Sequence, residues 1–87
     1  MINKNITEKR KEVMLYILNN GEAYATGLAE DTDNDRASMT RILNELEEIN
    51  ILENSNNGRR EKFFDLTETG KEMAFFLKQI ERLKKKL

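Results

Sequence analysis

The stretch INILENSNNGRREKFFDLTETG, residues 49–70, changes its periodicity twice. INILENS and RREKFFDL alternate on either side of Asn57-Gly58, the pair best suited to a type I′ turn, and so read as the two strands of a β-hairpin. Taking Asn57-Gly58 as a two-residue loop sets Asn56 opposite Arg59, Glu53 opposite Lys62, Leu52 opposite Phe63 and Ile51 opposite Phe64. That register aligns opposite charges and apolar pairs, each contributing a few tenths to about 1 kcal/mol, and a slip of one residue would spoil both. LTETGKEM then opens a helix, in which Thr67 caps directly or Thr69 forms a capping box with Glu72.

Immediately upstream the period is helical. In DRASMTRILNEL, residues 35–46, Asp35 is placed to cap a helix running to about Glu48. Met39, Leu43, Leu46 and Ile49 form a one-sided stripe with Ile42 on its flank. Opposite the stripe lies a row of small polar residues and two arginines. Further back, DTDND breaks the pattern, and Thr26 is the expected cap of a brief helix, GLAEDT, burying Leu28 and Ala29. GEAYA before it reads as extended, with Tyr24 inward. The first helix spans Thr7 to about Asn20, with Val13, Met14, Ile17 and Leu18 on its stripe and Ile6 and Arg10 one turn earlier. Asn19-Asn20-Gly21 ends it, because Asn and Gly tolerate the left-handed residue that closes a helix.

Helix, short strand, helix, tight acidic turn, helix, Asn-Gly hairpin, helix is the order of a winged helix-turn-helix, a mainly α fold with a small β-hairpin (α+β). Residues 1–70 form the winged unit and residues 71–87 a C-terminal helix within one domain, consistent with a chain of 87 residues. On that last helix Met73, Phe76, Ile80, Leu83 and Leu87 alternate steps of three and four, a heptad seam with Leu77 beside it. These side chains expose more apolar surface than so small a core can absorb, so a homodimer is expected; Leu15 and Tyr16, off the first helix's stripe, are placed to join that interface. The competing arrangement folds the last helix back onto the first within a monomer.

On YATGLAEDT, DRASMTRILNELEEINIL and NNGRREKFFDLTETG, the sequence resembles the MarR-like and ArsR-like winged-helix transcription regulators of bacteria and archaea over about residues 8–72. The resemblance implies a recognition helix, about residues 35–48, whose Arg36, Ala37, Ser38, Thr40, Arg41 and Asn44 face the major groove of double-stranded DNA. It implies a wing, about residues 51–66, that brings Arg59 and Arg60 to the flanking backbone or minor groove. The side-chain chemistry agrees independently: Ser, Thr and Asn bond phosphate or base edges, Ala permits close approach, and Arg takes guanine O6 and N7 together. Two features run against it. Glu22, Glu30, Asp31 and Asp33 make residues 21–34 acidic with no Lys or Arg, and Asn34 stands where such regulators carry an apolar anchor. A solvated surface, with Arg41 paired to Glu45 and the wing-tip arginines only discouraging edge pairing, is the simpler alternative.

Composition excludes much else. The 15 basic and 16 acidic side chains nearly cancel, so charge distribution rather than net charge must favour DNA. With no Cys and no His, there is no disulfide framework and no thiol or imidazole chemistry, and the usual transition-metal ligands are missing. No Walker loop or dinucleotide fingerprint occurs, and Glu47-Glu48 and Asp31-Asp33 lie on charge-dense faces without a cleft. No catalytic, cofactor or metal site and no small-molecule ligand is therefore expected. Nothing approaches the roughly 18 apolar residues of a membrane span, nor is there a signal-peptide core, which points to the cytoplasm. The sequence accordingly reads as a non-enzymatic, homodimeric DNA-binding regulator, a repressor acting on palindromic duplex DNA. The alternative from another class is a protein-interaction winged helix that leaves DNA untouched.

Overall fold

The computed structural model describes residues 7–55, 58 and 60–86. Its elements run α1 (Glu8–Asn20), α2 (Ala25–Thr32), α3 (Arg36–Glu48), β1 (Leu52–Asn54), β2 (Phe64–Leu66) and α4 (Glu68–Lys84), the expected winged-helix order. Among the described residues no helix is long and apolar enough to cross a membrane.

Each helix begins and ends for a local chemical reason. Thr7 caps α1 by accepting the Arg10 N–H, and Gly21 closes it at φ 92°, a left-handed conformation that Gly adopts without strain. Asp35 caps α3 by accepting the Ser38 N–H at 2.9 Å. Such a cap contributes about 1 kcal/mol. Thr67, not a Thr69 box, caps α4 by accepting the Gly70 N–H at 3.0 Å. Thr26 is not a cap: α2 starts after Tyr24, which provides no side-chain bond, and the Thr26 hydroxyl instead donates to Glu61.

The helices and hairpin close on one apolar core. Met14 and Ile17 of α1, Leu28 of α2, and Met39, Leu43 and Leu46 of α3 meet Leu52, Phe64 and Leu66 of the hairpin, all buried. Ile42 is buried with them, whereas Ile49 falls beyond the helix end and is exposed, so the α3 stripe stops one residue sooner than its spacing suggests. Ile6 lies outside the described residues.

The extended segment before α2 reverses the expected facing. Ala23 is buried and pairs with Phe64 in an antiparallel bridge, its N–H donating to the Phe64 carbonyl at 2.9 Å. Tyr24 is consequently only half-buried, its ring 4.7 Å from that of Phe63 on the other side of the strand.

Hairpin register also differs from the reading based on a two-residue turn. Leu52 lies opposite Leu66, Glu53 opposite Asp65 and Asn54 opposite Phe64, and Ser55 donates to Phe63 O at 2.8 Å. The connection therefore runs through residues 56–62; Asn56, Asn57 and Arg59, on which the short turn was drawn, lie outside the described residues. The short-turn register would have put Asp65 on the same face as Leu52. The observed one buries Phe64 and Leu66 instead. Each buried side chain contributes roughly 1.5–3 kcal/mol, against at most about 1 kcal/mol for the Glu53–Lys62 pair that is given up, so the core decides the register.

The hairpin base is joined to α4 by a tight junction. The Thr67 N–H donates to Ile51 O at 3.0 Å, and its hydroxyl donates to Asn50 O at 2.8 Å. Gly70 packs against the same Ile51 carbonyl, which a Cβ at residue 70 would approach to 2.1 Å. Gly70→Ala should therefore force a backbone shift and destabilise the domain by at least about 1–3 kcal/mol, read as a lower urea midpoint. Unchanged unfolding would contradict the junction.

Candidate nucleic-acid interface

Helix α3 divides cleanly between core and solvent. Its buried stripe leaves two outward ridges, one carrying Arg36, Thr40 and Asn44 and the next carrying Ala37 and Arg41, all exposed. The first ridge borders the wing, where a cleft of about 290 Å³ is lined by Arg36, Thr40, Asn44, Glu61 and Lys62. Ser38 departs from the row: it is half-buried, and its hydroxyl is 3.1 Å from the Asp35 carboxylate that also takes its N–H. Its first role is in the cap.

The turn that presents α3 is held by polar bonds. Asp33 adopts the left-handed conformation at φ 56°, which Asp tolerates, and the Asn34 N–H donates to Ala29 O at 2.9 Å. The Asn34 amide donates to Thr32 Oγ1 at 2.7 Å and to the Glu12 carboxylate at 3.3 Å, and its oxygen accepts from Lys9. Hydrogen bonds to α1 and α2 thus hold this corner, where the family resemblance anticipated an apolar anchor.

Charges near α3 are paired in a pattern the sequence did not suggest. Glu45 takes Arg10, at 2.6 Å, rather than Arg41. Among the described residues Arg41 and Arg60 have no ion-pair partner. Arg36 Nη2 lies 3.9 Å from Glu61 Oε1, and Lys62 Nζ lies 3.0 Å from Glu47 Oε1 and 5.1 Å from the centre of the Phe64 ring. Glu61 was not singled out from sequence, and Glu47, Lys62 and Thr26 were read in other roles: a carboxylate pair without a cleft, a cross-strand partner of Glu53 and a helix cap. Arg59 lies outside the described residues.

Helix α4 has two different faces. Gly70 and Ala74 are buried, and Met73 and Leu77 pack half-buried on the core of the same chain, so these two seam residues are largely used within the monomer. Phe76, Ile80 and Leu83 remain 67, 48 and 61% exposed, joined by Phe75 at 54%, while Leu87 lies outside the described residues. Lys11 links α1 to α4, with Glu8 at 3.2 Å and Glu81 at 3.3 Å; the Glu8 bond first, then Glu81, holds its ammonium pKa above the ordinary lysine range. On the same side the Tyr16 hydroxyl donates to Asp31 at 2.5 Å. Among the described residues no group of three or more carboxylates is arranged to hold a metal ion.

Neither a family model nor a curated protein matches the sequence. Solved structures do match, MarR-family winged-helix transcription regulators among them. The adhesin competence repressor AdcR from Streptococcus pyogenes superposes with a TM-score of 0.80 at 20% identity, over 94% of this chain and 62% of its own. NadR in complex with 4-hydroxyphenylacetate gives 0.76 at 26% identity, over 86% of this chain and 55% of its own. The protein AF1382 from Archaeoglobus fulgidus gives 0.79 at 23% identity, over 90% of this chain and 89% of its own. The chain thus spans less than two thirds of the length of AdcR and NadR, and what it shares with all three is the winged-helix fold.

The Tyr16–Asp31 bond carries a measurable signature. The Asp31 hydrogen bond, reinforced by burial, pushes the phenol from its usual 10.0 up to about 12. The unfolded chain therefore loses this proton first, so the bond's stabilisation is complete below pH 10 and is lost as pH rises towards 12. Phenolate absorbance should show a late-titrating tyrosine that returns towards 10 in Asp31→Ala. Identical titration curves would dismiss the bond.

Proposed function

We propose that this protein is a sequence-specific, double-stranded DNA-binding transcription regulator acting as a homodimeric repressor in the cytoplasm. The observation that carries the reading is the α3 surface: Arg36, Thr40 and Asn44 on one ridge, Ala37 and Arg41 on the next, all clear of the core and flanked by a wing. This is a set of side chains able to read base edges, on the helix that a winged helix-turn-helix lays in the major groove. The shared fold with a structure named as a repressor supports the same role.

In this reading Arg36, Thr40, Arg41 and Asn44 contact bases or phosphates, Ala37 allows close approach, and Ser38 supports the helix start. Arg59 and Arg60 contact the flanking backbone or minor groove from the wing. The acidic residues Glu30, Asp31 and Asp33 lie on α2 and the turn, where they limit general affinity for phosphate.

The exposed row Phe75, Phe76, Ile80 and Leu83 is the dimerisation surface, with Met73 and Leu77 supporting it from the core side. A contiguous apolar row of this kind marks an interaction surface. Two copies related by a two-fold axis present two α3 helices to a palindromic duplex.

Selection from a random duplex pool should recover a palindrome, and binding to it should weaken steeply with salt. Arg36→Ala and Arg41→Ala should each cost about tenfold or more in affinity for that duplex, whereas Arg60→Ala should lower affinity uniformly and reduce the salt slope by about 1. No binding to any duplex at low salt would favour a protein-interaction role instead. Sedimentation supplies an independent check: the wild type should run as a dimer and Phe76→Glu as a folded monomer with weakened palindrome binding.

A further inference from the structure

The cleft between α3 and the wing holds more negative charge than a phosphate-binding surface requires. Glu61 Oε1 lies 3.9 Å from Arg36 Nη2 and also accepts the Thr26 hydroxyl at 3.2 Å, so it joins the wing to both α2 and α3. Glu47, in the last turn of α3, holds Lys62 of the wing at 3.0 Å. In both pairs the cation is the outer partner: the Arg36 side chain is 69% exposed against 39% for Glu61, and Lys62 is 47% against 32% for Glu47. A duplex approaching this face meets the cations first, with a carboxylate behind each.

We propose that Glu47 and Glu61 are specificity-determining residues, which neutralise Lys62 and Arg36 towards phosphate so that tight binding requires the correct base edges. The inference rests on the DNA-binding reading above. General affinity for duplex DNA comes from cations that displace counterions from phosphates, a gain shared by every sequence. A cation that keeps its carboxylate adds no net charge to that exchange, and one that leaves it strands the carboxylate beside the phosphates. Base-edge hydrogen bonds depend instead on geometry, and these pairs hold the cations in position for them. The carboxylates therefore weaken binding to an arbitrary duplex more than binding to the selected one.

Glu61→Gln and Glu47→Gln keep side-chain size while removing the charge, and Glu72→Gln on the exposed surface of α4 makes the same change in net charge away from the cleft. Affinities for the selected duplex and for a scrambled duplex would be measured across a salt series, with thermal unfolding confirming that each variant is folded. Glu61→Gln should raise affinity for the scrambled duplex about tenfold and for the selected one less than about threefold, with a salt slope steeper by about 0.9 per cation released. Glu47→Gln should act in the same direction and carries the test if Glu61→Gln does not fold. An unchanged ratio of the two affinities in a wild type that does select its site would overturn the carboxylate role alone, as would an equal effect from Glu72→Gln. A wild type that binds neither duplex at low salt would overturn the DNA-binding reading and this inference with it.

Discussion

The Ile51 carbonyl is where the fold is pinned. It accepts the Thr67 N–H and lies against Gly70, so the first strand of the hairpin, the end of the second and the start of α4 meet at one oxygen. Once Ile51 faces Thr67, Leu52 must face Leu66 and Asn54 must face Phe64, and the wing leaves the body in one register. A side chain at residue 70 would separate these elements, while the Thr67 hydroxyl closes the same corner by donating to Asn50 O and accepting the Gly70 N–H. Burial at this point makes the exchange costly to undo, because an unmet carbonyl or amide away from water costs about 1–3 kcal/mol.

From that junction follows the division of labour on α3. The helix contributes Met39, Ile42, Leu43 and Leu46 to the core, and the hairpin packs against the same core through Phe64 and Leu66. The wing is thereby set beside the Arg36 ridge, close enough for Glu61 and Lys62 to pair with side chains of α3. These pairs are partly exposed and contribute little to stability, typically less than about 1 kcal/mol each. In the proposed function their weight falls on the electrostatics of the cleft, where each cation freed exchanges about one counterion with the duplex.

Periodicity had left α4 open to dimerisation or to folding back on its own chain. It does fold back, through Gly70, Ala74, Met73 and Leu77 and the Lys11–Glu81 pair. It also keeps Phe75, Phe76, Ile80 and Leu83 outside. A helix of 17 residues turns nearly five times, enough for two stripes, one buried and one exposed, which the heptad count blended.

What the sequence by itself determined was whatever depends on neighbours in the chain. The Asp35 cap, the Gly21 stop, the α3 stripe as far as Leu46 and the order of elements are local matters of hydrogen bonding and period, and they appear as read. Tertiary structure decided the rest: the hairpin register, the facing of Ala23 and Tyr24, the role of Asn34, and the partners of Arg10, Arg36 and Lys62. Most of these join residues far apart in sequence: at the register and at Ala23 burial of apolar surface outweighs local turn preference, and the polar partners follow from the packing that brings them together. Sequence periodicity states which residues seek the core, but only the assembled core states which of two adjacent residues reaches it.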